Sequence, residues 1–152
     1  MIILIILLIS PIIAIDKFHF STELSCRFTH KSSYTYDIIF FEENLGIKDV
    51  RSITGWIYGE KIPAGGKKHA RYNGTMDGDY GDFYEIVTWI QHDCKLDGKM
   101  ELVRVVFADD LCKVNADGPC YVHFPMDLTG FMGKAVRQVS MKNVRDENWF
   151  WN

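Results

Sequence analysis

The feature that most constrains this chain is a strict two-residue alternation. Phe20, Thr22, Leu24, Cys26 and Phe28 fall on one side, and Ser21, Glu23, Ser25, Arg27 and Thr29 on the other. Successive side chains of an extended strand point to opposite faces, so the pattern predicts a half-buried antiparallel strand. Further strand runs follow at residues 34–41, 52–58, 83–94, 100–107, 120–124 and 134–141, with 52–58 the weakest. Residues 83–94 set Tyr84, Ile86, Thr88, Ile90, His92 and Cys94 against Phe83, Val87 and Trp89, which predicts cover on both faces. Turn chemistry at residues 44–46, 63–66, 77–81, 97–98 and 117–119 separates the runs. Residues 40–50 and 108–114 offer no sustained apolar stripe for a helix. The expected fold is all-β, an antiparallel β-sandwich of seven to eight strands.

Residues 1–14 carry no charged side chain and are almost wholly aliphatic. The apolar run at 2–9 is far short of the roughly 20 residues needed to span a bilayer. Pro11 ends it, and Ile12 and Ala14 suit the positions three before and one before a signal-peptidase cut. The missing basic residue near the start is a departure from that pattern. The expectation is a signal peptide over 1–14, then a single β-sandwich domain over 15–152, secreted, extracellular and not transmembrane. All four cysteines lie beyond the cut, an even number bound for an oxidising compartment. Of the three possible pairings, the favoured one closes a local loop between Cys112 and Cys120 around a reversal at 115–119. It leaves Cys26 to join Cys94, both on strands.

A formal net charge of −3 offers no basic face for nucleic acid. The acidic turn Asp77, Asp79, Asp82 and Glu85 has carboxylates that calcium favours, but lacks the EF-hand order and reads as a solvated turn, with no metal. The five histidines, His19, His30, His69, His92 and His123, show no zinc spacing. His92 and Asp93 are strand neighbours on opposite faces, so His92 is expected to pack near a disulfide rather than form an acid–base couple. No Gly-x-Ser-x-Gly elbow or phosphate-cradling glycine loop occurs, so no catalytic residue and no cofactor are assigned. Lys61, Lys67, Lys68 and Arg71, with His69, concentrate positive charge in a glycine-containing loop, the candidate ligand-binding site for phosphate head groups or acidic glycans. Asn73, followed by Gly74 and Thr75, is the one glycosylation sequon. Trp149, Phe150 and Trp151 form an aromatic cluster expected to dock on the sandwich.

Cys26, the segment Tyr36-Asp-Ile-Ile-Phe-Phe-Glu-Glu43, then Gly81-Asp-Phe83 and Ile90-Gln-His-Asp-Cys94 occur in that order. Together, over about residues 22–107, they resemble the nematode transthyretin-like family. The resemblance implies a seven- or eight-stranded prealbumin-like sandwich, secretion, and no established catalytic activity. The chain departs from the family pattern at residues 27–33, where a short Gly-Lys-Pro-like turn would stand, in the insertion at 59–72, and in the pair Cys112 and Cys120. The related hydroxyisourate hydrolases end in Tyr-Arg-Gly-Ser, whereas this sequence closes on Asn148 to Asn152. The expected function is a secreted, non-enzymatic extracellular binding or bridging module. Its ligand would be a small hydrophobic molecule, a lipid head group, anionic lipid included, or a cell-surface protein. The alternatives are a secreted effector or structural protein acting by protein contacts, and a hydrolase with an unfamiliar site.

Overall fold

The computed structural model describes residues 15–44, 49–78, 81–108 and 110–129, together with the backbone of Val136 and Arg137. The predicted signal peptide at 1–14, Asp79 of the acidic turn, most of the run 134–141 and the cluster Trp149, Phe150 and Trp151 lie outside the described residues.

The described chain is all-β. Its strands are β1 Asp16–Ser25, β2 Ser33–Asn44, β3 Asp49–Ser52, β4 Ile57–Pro63, β5 Lys67–Met76, β6 Phe83–Tyr84, β7 Ile86–His92, β8 Glu101–Val106, β9 Cys112–Lys113, β10 Cys120–Asp127 and β11 Val136–Arg137. A small sheet runs in the order β10-β1-β5. A larger one runs β11-β8-β7-β2-β3, with β4 also paired to β2, and β6 with β9 makes a short separate ladder. No helix among the described residues is long and apolar enough to cross a membrane.

Period-two patterning explains the sandwich. Phe18, Phe20, Thr22 and Leu24 of β1 are buried, as are Tyr34, Tyr36, Ile38 and Phe40 of β2, so each sheet turns one apolar face inward. The rings of Phe20 and Phe40 stack across the interface at 3.9 Å, and Phe124 meets Phe107 edge to face at 5.2 Å. Tyr36 of the large sheet and Tyr72 of the small one place their hydroxyls 2.7 Å apart, so this buried polar pair satisfies itself. Burial pushes the Tyr72 phenol up to about 12, and burial with the Tyr72 bond raises Tyr36 as well, so both stay protonated. Cys26, just past β1, is bonded to Cys94, just past β7, and ties the two sheets together. Cys112 is bonded to Cys120 across the β9–β10 connection. Two disulfides fit an oxidising compartment.

β7 is covered on both faces, as its sequence predicts. Ile86, Thr88, Ile90 and His92 are buried inward, while Val87 is buried outward beside Phe41. The Phe41 and Trp89 rings meet at 4.9 Å, and Arg104 of β8 reaches over β7 to an ion pair with Glu43 of β2. The stem of Arg104 thus roofs an apolar strip that would otherwise face water.

Four expectations are corrected. The sandwich is not purely antiparallel, because β1 pairs β10 and β8 pairs β11 in parallel. The described residues form eleven strands rather than seven or eight, three of them two residues long. The run 83–94 is broken at Glu85 into β6 and β7, which join different sheets. The basic loop expected at 61–71 is the end of β4, a tight turn and the start of β5. In that turn the Gly66 amide donates to the Pro63 carbonyl at 3.0 Å, and Gly65 adopts φ +65°, a conformation that L side chains rarely take. The turn carries the chain from the large sheet to the small one.

Candidate functional site

Because β4 and β5 belong to different sheets, the four basic residues singled out in the sequence do not form one patch. Lys61 pairs in register with Thr35 and lies on the outer face of the large sheet. Lys68 sits at the open side between β4 and β5, its ammonium 3.1 Å from the Glu60 carboxylate. Lys67 and Arg71 lie on the outer face of the small sheet, where alternate residues of β5 are exposed and the intervening ones are buried. Strand alternation therefore divides a contiguous stretch of basic residues among three environments.

The outer face of the small sheet is polar except for Pro125. Its central strand contributes Lys17, His19, Ser21, Glu23 and Ser25. Strand β5 adds Lys67, His69, Arg71, Asn73 and Thr75 on one flank, and β10 adds Tyr121, His123, Pro125 and Asp127 on the other. The rows in register are Asn73, His19 and Tyr121; Arg71, Ser21 and His123; His69, Glu23 and Pro125; and Lys67, Ser25 and Asp127. His19 Nδ1 donates to Asn73 Oδ1 at 2.6 Å and its ring stacks on Tyr121 at 5.1 Å. His123 Nδ1 lies 3.3 Å from the Ser21 hydroxyl, and burial lowers the pKa of this imidazole. Three of the chain's five histidines thus share one face.

At the end of this face, beside the Pro63–Gly66 turn, opens a cleft of about 390 Å³. Glu23, Ser25, Arg27, Gly66, Lys67 and Asp127 line it. Lys67 bonds Glu23, and that bond, with help from His69 and His123, holds the Glu23 carboxyl below the usual carboxylate range. Arg27 Nε stands 2.6 Å from Asp127 Oδ2. Burial pushes Asp127 upward, but bonds from Thr129 and Arg27 outweigh it and leave its pKa lowered. The Arg27 amide donates to Thr129 Oγ1 at 2.8 Å, and the Cys26 amide donates to the Gly66 carbonyl at 3.3 Å, so the cleft walls are tied to one another.

Sequence reasoning found Lys67 and missed Arg27, Ser25, Glu23 and Asp127. Their alternation on β1 was visible, but nothing in the sequence placed β10 parallel alongside it. Asn73 and Thr75 of the sequon are both exposed on the outer face of β5, while Gly74 between them is buried against Ile53.

His92 is fully buried. Its Nδ1 accepts the Cys94 amide at 3.2 Å, so it packs beside the intersheet disulfide, and desolvation lowers its pKa. Asp93 faces the other way, accepting from the Thr35 amide at 2.7 Å and pairing with Lys31 at 3.0 Å. In the acidic turn, Asp77 lies 3.7 Å from Arg51, and the Asp82 and Glu85 carbonyls accept backbone amides of Val114 and Glu43. Among the described residues no group of three His, Cys, Asp or Glu side chains is arranged to hold a metal ion.

Compared with family models, curated proteins and solved structures, the chain matches none.

Proposed function

We propose that the protein is a secreted, non-enzymatic binding module of transthyretin-like type that meets its ligand through the outer face of its small sheet. The observation that carries this reading is a largely polar sheet face ending in an open cleft of about 390 Å³, where Glu23, Arg27, Lys67 and Asp127 stand beside Pro125 and Met126. A prealbumin-like arrangement is supported by the mixed three-stranded sheet, with its parallel first and last partners, packed on a mainly antiparallel one. Contact-packed rings between the sheets favour a surface ligand, a lipid head group or acidic glycan, over a small hydrophobic molecule held inside. A non-catalytic role is supported by the complete burial of His92 and the near-complete burial of Ser21, whose hydroxyl lies 3.3 Å from His123. Glycosylation at Asn73 belongs to the same reading, since the sequon's Asn73 and Thr75 face outward on strand β5.

The test is co-sedimentation of the oxidised protein with anionic and neutral vesicles, and retention on a sulfated polysaccharide, at low and high salt. Lys67→Ser with Arg71→Ser should weaken binding, since each basic residue near an anionic surface contributes about 1 kcal/mol. Lys61→Ser with Lys68→Ser should leave it nearly intact, because those side chains stand elsewhere. Equal binding by wild type and the first variant overturns the reading, as does binding that ignores salt.

A second reading, an effector acting by protein contacts, is favoured by one observation. Leu96, Met100 and Leu102 are exposed around the connection between β7 and β8. A binding partner captured by the wild type and lost with Leu96→Ser and Met100→Ser would support it over the sheet-face ligand.

A further inference from the structure

We infer that the cleft between the Pro63–Gly66 turn and the ends of β1 and β10 is an oxyanion site, recognising a sulfate, phosphate or carboxylate group through Arg27, Lys67 and Ser25. The inference rests on the binding reading above and deepens it by naming the chemistry that the cleft selects.

Register brings the parts together. Ser25 stands in the middle of a row, with Lys67 beside it on one strand and Asp127 on the other. Ser25 is half-buried, and its row holds one member of each of two ion pairs, Lys67 with Glu23 and Arg27 with Asp127. These pairs are formally balanced, and their depths decide the sign that a ligand meets. The Arg27 and Lys67 side chains are 79% and 60% exposed, whereas their partners Asp127 and Glu23 are 30% and 24% exposed. The acids are recessed beneath the cations, so solvent and ligand meet positive charge first. His69, 67% exposed and 3.4 Å from Glu23, engages the same recessed carboxylate from the far side.

Donor geometry supports the same choice. Arg27 meets Asp127 through Nε at 2.6 Å, and its side chain is largely open to solvent. A guanidinium presents five N–H donors in a planar fork that matches an oxyanion edge, and an ammonium has three donors, of which Glu23 engages one. Gly65 and Gly66 of the turn also line the cleft. A cation entering the cleft would have to displace two seated partners before reaching a carboxylate. An oxyanion bridges Arg27 and Lys67 over the Ser25 hydroxyl without breaking either pair. Recessed carboxylates also keep the affinity low, so tight binding to a macromolecule needs several such groups presented together.

The experiment is a titration of the oxidised full chain with inorganic sulfate at constant ionic strength, followed by amide NMR. Shifts should concentrate at Ser25, Arg27, Gly65, Gly66 and Lys67. Arg27→Gln and Lys67→Gln should each weaken sulfate binding about five-fold, as expected for losing one exposed charge-assisted contact. Lys61→Gln, on the outer face of the large sheet and outside the cleft, should change it less than about two-fold. Both altered pairs are at the surface, so thermal melts of these variants should match the wild type; if one is unfolded, the other still decides the matter. Shifts spread evenly over surface lysines, unchanged affinity in both cleft variants, or stronger cleft shifts with tetramethylammonium than with sulfate would each overturn the inference. Competition arms separate the sources: sulfate should displace the protein from sulfated polysaccharide if the natural group is a glycan sulfate, and from phosphatidylserine vesicles if it is a head group. Sulfate in the cleft with no binding to either macromolecule overturns the surface-binding reading and leaves the oxyanion site standing. Vesicle binding without cleft shifts does the reverse.

Discussion

Removing the two disulfides separately should cost unequal amounts of stability. Cys26 and Cys94 are separated by 68 residues, Cys112 and Cys120 by 8. A crosslink restricts the unfolded chain according to the logarithm of the loop it closes, giving about 4.4 kcal/mol for the long loop and about 2.6 kcal/mol for the short one. Packing widens the gap. Cys26 and Cys94 are fully buried between the sheets, so alanine at both positions leaves a void there worth about 1 kcal/mol more. Cys120 is only partly buried and its loss leaves less empty space. Cys26→Ala with Cys94→Ala should therefore destabilise by at least about 2 kcal/mol more than Cys112→Ala with Cys120→Ala. Urea unfolding followed by tryptophan fluorescence measures both, with the slope checked so that midpoint shifts report stability. Small domains hold only about 5–15 kcal/mol in total, so a long-loop variant already unfolded in water is the limiting case of the same ordering. A folded long-loop variant no less stable than the short-loop variant would refute the reasoning, because it would mean that the β1–β7 tether does not limit the unfolded chain.

Acid should weaken the fold before its carboxylates titrate. Burial lowers the pKa of His92 and of His123, so the unfolded chain takes up protons below its ordinary imidazole value of about 6.5 while the folded chain resists. Stability is then complete above about pH 6.5 and is lost as pH falls below it, by at most about 1.4 kcal/mol per pH unit for His92. Urea midpoints at pH 7.5 and 5.5 should show this slope in the wild type and a shallower one in His92→Gln; an unchanged slope would dismiss His92 as its source. Gly74→Ala should destabilise by about 1–3 kcal/mol, because a Cβ there would stand 2.5 Å from the Ile53 side chain and 2.7 Å from its carbonyl oxygen. That variant keeps the Asn-x-Thr sequon, so a drop in thermal melting with unchanged glycan occupancy on exported protein is the expected pair of results.

Much of the fold was legible because burial and strand period coincide. Phe20, Thr22, Leu24 and Cys26 repeat every second residue and all are buried, and the same count finds β2 and most of β7. The disulfide partners followed from loop length and strand position. What period-two counting cannot register is which strand lies beside which. Tyr84 and Ile86 share a face by count and are both buried, yet the chain leaves one ladder for another at Glu85. The parallel partnership of β1 with β10 joins segments about a hundred residues apart, and no local signal encodes that long-range pairing.

The basic stretch shows how charge can conceal a strand. Between Lys67 and Met76 the buried positions are Ala70, Tyr72, Gly74 and Met76, alternating as strictly as those of β1. Lys67, Lys68, His69 and Arg71 dominate the composition, and with Gly65 and Gly66 just ahead the segment resembles a solvated loop. Yet basic residues on an exposed strand face are what a sheet edge requires, since charge there discourages pairing with other chains. β5 is the edge of the small sheet, bonded to β1 on one side. Edge protection and ligand attraction thus call for the same side chains, and the sequence alone cannot separate them. The structure separates them by partner. Lys68 is matched with Glu60 at the open side of the sandwich. Lys67 reaches to Glu23 on the neighbouring β1, and its exposed side chain lines the cleft together with Arg27. The basic residue best placed for a ligand is therefore the one whose counter-ion is recessed beneath it, a relation set by the depth of a neighbouring strand and carried by no run of consecutive letters.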